Sequence, residues 1–109
     1  MSTPLVEVRV SVPDEDTGLR LARAMVEAGA AACVQCLGPM ASVYRWEGAV
    51  QVEREWLLLA KTTEAAVPRL RELVLREHPY EVPELLAVPV AQALEPYAEW
   101  VREQVAQQR

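Results

Sequence analysis

The sequence has no asparagine, one histidine, one lysine and only four glycines in 109 residues. Without asparagine, one common oxyanion- or metal-orienting group is missing. A single histidine cannot supply both ends of a His-x-x-x-His metal site. There is no Gly-x-Gly-x-x-Gly, no Walker loop and no Gly-x-Ser-x-Gly, so dinucleotide, P-loop and nucleophile-elbow templates all fail. Uninterrupted apolar runs end near the length of Leu85–Ala91, far short of the ~18 residues that mark a transmembrane helix. Met1-Ser2-Thr3-Pro4 lacks the basic start and apolar stretch of a signal peptide, so a cytoplasmic location is expected. The net charge of −5, from 16 acids and 11 bases, disfavours a nucleic-acid backbone or an anionic membrane as partner. Nothing here demands an enzyme.

What is present is apolar. Hydrophobic residues make up 51% of the chain, too many for disorder, and the length fits a single domain over residues 1–109. The two cysteines form Cys33-Val34-Gln35-Cys36 in a segment that reads as a strand. Strand residues three apart point to opposite faces, with Cα atoms ~10 Å apart at ~3.3 Å per residue. A disulfide needs less than ~7 Å, and zinc would need two more soft ligands. Buried structural thiols are the expectation.

Val6, Val8, Val10 and Val12 alternate strictly, which predicts a strand over 5–12. Asp14 is a candidate N-cap, Leu21, Ala22, Met25 and Val26 form a helical stripe, and Gly29 ends that helix. A strand at 31–37 and a turn at Gly38-Pro39 follow, then a hairpin of 42–47 and 50–61 around Gly48. A second helix opens at Thr63 or Glu64, tolerates Pro68 in its first turn, buries Leu70, Leu73 and Val74, and closes at His78-Pro79. Residues 84–90 read as a fourth strand. Glu95-Pro96 starts a last helix with the stripe Tyr97, Trp100, Val101 and Val105. The order β-α-β-β-α-β plus a C-terminal helix is the α+β, ferredoxin-like split pattern with an antiparallel sheet.

Trp56-Leu57-Leu58-Leu59-Ala60 is apolar at every position, so both faces of that strand need cover. The two main helices of this pattern share one side of the sheet. The C-terminal helix or another subunit must therefore cover the other, and self-association follows. The hairpin 42–54 is long enough to reach a neighbour.

Two residues carry chemical interest. His78 is either a helix-end imidazole bonded to a terminal carbonyl or a metal ligand with Glu77, Glu84 or a group from another chain. Lys61, beside ten arginines, is either a lysine snorkelling from a sheet end or an anion contact.

Ala31-Ala32-Cys33-Val34, Ser42-Val43-Tyr44-Arg45-Trp46-Glu47-Gly48, Leu58-Leu59-Ala60-Lys61-Thr62, His78-Pro79-Tyr80-Glu81-Val82-Pro83-Glu84 and Tyr97-Ala98-Glu99-Trp100 together resemble the CutA1 family of divalent-cation tolerance proteins. The resemblance runs from about Pro13 to Trp100. It implies a ferredoxin-like subunit in a homotrimer, similar in architecture to the PII signalling proteins, with no secure catalytic reaction. It makes Cys33, Tyr44, Trp46, Pro79, Pro83 and Trp100 motif residues of structural weight. Copper binding in the family is linked to a first-strand cysteine and to histidines before Pro-Tyr. Here those positions hold Val10 and Glu77-His78, so only weak Cu(II) binding at His78 with Glu77 is implied.

Three functional readings follow. They are a non-enzymatic metal-binding trimer, a PII-like trimer holding an anionic metabolite between subunits through Lys61, Tyr80 and Glu84, and a scaffold trimer. With no asparagine, few methionines and proline-bearing short loops, the protein is expected to be thermostable.

Overall fold

A computed structural model describes residues 3–106; Met1, Ser2 and 107–109 lie outside the described residues. One antiparallel sheet of four strands, ordered β2-β3-β1-β4, carries helices on both faces. The elements are β1 (Leu5–Val12), α1 (Glu15–Glu27), β2 (Cys33–Trp46), β3 (Ala49–Thr63), α2 (Val67–Glu77), β4 (Leu86–Pro89) and α3 (Glu95–Ala106). This is the expected ferredoxin-like α+β fold.

The core follows from the β1 alternation. β1 pairs with β3 from Leu5↔Thr63 to Val12↔Trp56, so Val6, Val8, Val10 and Val12 share a face with Thr62, Ala60, Leu58 and Trp56. Leu21 and Met25 of α1, and Leu70, Leu73 and Val74 of α2, close over that face. Burying a side chain such as Leu58 stabilises by ~1.5–3 kcal/mol. Asp14 caps α1 by accepting from the Thr17 N–H at 2.7 Å, and Gly29 takes φ 69° after its last turn. Gly18 lets α1 approach closely, since a Cβ there would stand 3.1 Å from both Cys36 Sγ and Val12 Cγ2.

Several boundaries differ from the sequence-based expectations. Gly38-Pro39 is no turn. β2 runs through it with a bulge between Leu37 and Met40, which accommodates the proline's missing N–H, and a Cβ on Gly38 would collide with the Trp56 indole. The second helix begins at Val67, because a 3-10 turn at Glu64–Ala66 precedes it. β4 spans only Leu86–Pro89, not 84–90, and Val90 adds one further bond to the Leu5 carbonyl. Val26 leaves the α1 stripe, whose inner positions are Gly18, Leu21, Ala22 and Met25.

α3 packs on the second face, where Ala98, Val101 and Val105 meet Leu5, Ala32 and Ala66. Tyr97 and Trp100 lie on its rim, each 40% exposed, because α3 reaches the sheet only along its Ala98-Val101-Val105 line. The second face is therefore covered at one end only. Leu57 and Leu59 are half-buried, and Leu37 and Leu86 are exposed. Beyond the bulge no helix follows the hairpin, and the molecule extends to 47 Å along its longest axis.

Candidate functional site

His78 is placed by three local rules. It precedes a proline, so it leaves the helical region (φ −77°, ψ 140°) and becomes the C-cap of α2, its N–H bonding to the Val74 carbonyl. The turn brings its ring to the end of β1, where it is buried. Its Nε2 lies 2.8 Å from the Ser11 carbonyl oxygen, so Nε2 must carry the proton and donate. Nδ1 then accepts from the Tyr80 N–H at 3.0 Å. Both ring nitrogens are engaged in one neutral tautomer. An ion at His78 would have to displace the Tyr80 N–H. The Glu77 carboxylate is on the surface beside Arg76 at 3.4 Å. Among the described residues, no three His, Cys, Asp or Glu side chains converge on a metal-sized space.

Tyr80 extends this arrangement. Its ring packs against His78 with centroids 4.9 Å apart, and its hydroxyl donates to Glu55 Oε2 at 3.2 Å. Partial burial, then the Glu55 charge and the bond to it, push the phenol up to about 12. Tyr44 is raised as well, by desolvation and by Glu53 and Glu55. The loop after α2 is thus tied to β1 through His78 and to the base of the hairpin through Tyr80.

Lys61 is committed elsewhere. Its Nζ donates to Gln35 Oε1 at 2.7 Å and stands 3.7 Å from Glu7 Oε2. It lies six residues beyond Glu55 on β3, about 20 Å at ~3.3 Å per residue. Within one chain, Lys61 and Tyr80 share no site. Glu84 is exposed in the loop before β4.

Cys33 and Cys36 take opposite faces of β2, as the spacing predicts, but both are half-buried instead of buried. β2 is an edge strand, so a neighbour covers each thiol on one side only. Burial and Glu15 raise the Cys36 thiol, which keeps it protonated. Of the other motif residues, Tyr44, Trp46 and Pro79 are exposed and Pro83 is half-buried. The Tyr80–Glu55 and Lys61–Gln35 contacts were not anticipated from the sequence. Only the β2–β3 register, which the bulge resets, brings Gln35 beside Lys61.

This geometry has known counterparts. A sequence profile of the CutA1 divalent ion tolerance protein family matches residues 6–104. The chain belongs to the CutA1 family. It is 45% identical over 96 residues to a divalent-cation tolerance protein CutA of Thermus thermophilus, covering 88% of this chain and 93% of that one. It is 42% identical to the human protein CutA over 86% of this chain, and spans 52% of that relative's length. A solved Thermus thermophilus CutA1 structure superposes with a TM-score of 0.91 at 42% identity, covering 93% of this chain and 98% of the other. The Oryza sativa CutA1 structure gives 0.94 at 37% identity, with 98% of both chains covered. No helix among the described residues is long and apolar enough to cross a membrane.

Proposed function

We propose that this CutA1-family chain acts as a non-enzymatic homotrimer that binds divalent cations weakly at His78 and Glu77. The observation that carries the assembly is the uncovered apolar surface. Val43, Val50 and Val52 are each more than 60% exposed, on a hairpin that also carries Trp46. Contiguous apolar surface of this kind marks a contact site. The half-covered sheet face with Leu37 and Leu86 adds to it. The edge strands β2 and β4 each offer one unpaired side to a neighbouring chain.

The engaged imidazole accounts for weak cation binding. A cation at His78 must break the bond from the Tyr80 N–H. Leaving that donor unpaired costs about 1–3 kcal/mol, or roughly 5- to 150-fold in affinity. Glu77 contributes a hard oxygen donor, which suits copper less than a second imidazole.

Native mass spectrometry with Cu(II) titration tests both parts. Three chains that gain up to three copper ions, lost in His78→Ala, are expected. Copper uptake unchanged by His78→Ala would move the site elsewhere.

A further inference from the structure

The second face holds a feature that neither the family nor the cation reading uses. A cavity of ≈ 260 Å³ lies between the start of α2 and the end of α3, with Thr63, Ala65, Ala66, Arg69 and Arg102 in its wall. We propose that this cavity binds a small phosphate-type oxyanion.

Four observations converge on it. Two guanidinium groups line one concave space in a chain of net charge −5. Arg69 spends one nitrogen on the Gly29 carbonyl at 2.8 Å, while its Nε, withdrawn from solvent, has no partner among the described residues. No carboxylate lies within ion-pairing distance of Arg69 among the described residues, whereas Arg102 is shared by Glu95 and Glu99 at 3.5 and 3.4 Å. Arg69 therefore supplies the unneutralised charge. Thr63 is 3% exposed and lines the cavity, yet its hydroxyl does not cap the turn that it starts. Ala66, the N-cap of α2, has no side chain able to cap.

The chemistry selects a compact, multiply accepting anion. An oxyanion accepts from the outer Nη–H groups of Arg69, from Arg102 and from the Thr63 hydroxyl, the donor set that favours phosphate over a halide. The volume suits inorganic phosphate or the phosphate end of a small monoester. Lys61, the one lysine, is held by Gln35 and Glu7 and takes no part.

The test is the thermal midpoint and the calorimetric titration of the full chain with inorganic phosphate, against chloride at matched ionic strength. Wild type should show saturable stabilisation by phosphate alone, as a ligand bound only to the folded state requires. Arg69→Gln should lose it, and Arg69→Lys should weaken binding at least tenfold, since an ammonium lacks the fork. Arg76→Gln, an exposed guanidinium on the same helix, should leave it unchanged. If Arg69→Gln does not fold, Arg102→Gln gives the same reading from α3. Glycerol 3-phosphate separates the sources. Tighter binding than phosphate assigns an esterified headgroup, and weaker binding assigns the free ion. A wild-type response equal for phosphate and chloride overturns the proposal, as does an unchanged response in folded Arg69→Gln.

Discussion

The two ends of the β2–β3 ladder are built from similar residues and meet opposite fates. At the base, Leu58 and Ala60 are fully buried beneath α1 and α2. At the tip, Val43 pairs across from Val52 in a regular antiparallel register, and both stay in solvent. Apolar side chains fit the pleated ladder in either place. What differs is the cover. α1 and α2 are 13 and 11 residues long, about 20 and 16 Å at ~1.5 Å per residue. β3 has 15 residues and extends about 45 Å at ~3.2 Å per step, so the helices cannot follow it. An apolar ladder left beyond the reach of its own helices is the surface on which the proposed assembly rests.

Changes at the two ends should separate these fates. The largest effect is expected from Val52→Asp, which places a charge in the surface proposed to join chains. Sedimentation should show the assembly reduced to single chains while circular dichroism stays native. Next comes Leu58→Ala at the base, which should cost about 2–5 kcal/mol in denaturant unfolding through the cavity it leaves. Val50→Ala at the tip should change the stability of a dissociated chain by no more than about 0.5 kcal/mol. Gly38→Ala sits at the boundary between the two ends. Its methyl group must push the Trp56 indole aside, and about 1–3 kcal/mol of overpacking cost is expected.

The last expected effect is a pH dependence. The Tyr80 phenol is raised in the folded state, so the folded protein favours the protonated form. That stabilisation is fully present below the ordinary tyrosine value near 10 and is lost as pH rises through about 12. Spectroscopic titration should find one phenol ionising near 12, absent in Tyr80→Phe. The decline in stability above pH 10 should be shallower in that variant.

Much of this fold is legible in the sequence because its signals are local. The Val6–Val12 alternation, the Asp14 cap and the Gly48 hairpin each act within a few residues. The hairpin turn itself has positive φ at Glu47 (50°) and Gly48 (81°), the geometry of a two-residue turn. Gly38-Pro39 misleads because the same dipeptide suits a turn and a bulge, and only the Trp56 indole on the opposite strand decides between them. Counted back from the turn, Lys61 would oppose Val34; the bulge moves it opposite Cys33. One residue of slip exchanges faces, so contacts beyond the bulge, including Lys61 with Gln35, were out of reach of pattern alone. The candidate site is half legible. His78 at a helix end follows from His-Pro, but the Ser11 carbonyl that binds it is 67 residues away in sequence. The Arg69–Arg102 cavity has no sequence signal, since its walls come from separate helices.

The most direct test of the account is the mass of the intact protein in solution at micromolar concentration, by light scattering or native mass spectrometry. The exposed Val43, Val50 and Val52 ladder predicts more than one chain per particle, and the proposed homotrimer sets the number at three. A single chain at that concentration would contradict the reading of the hairpin as an assembly surface.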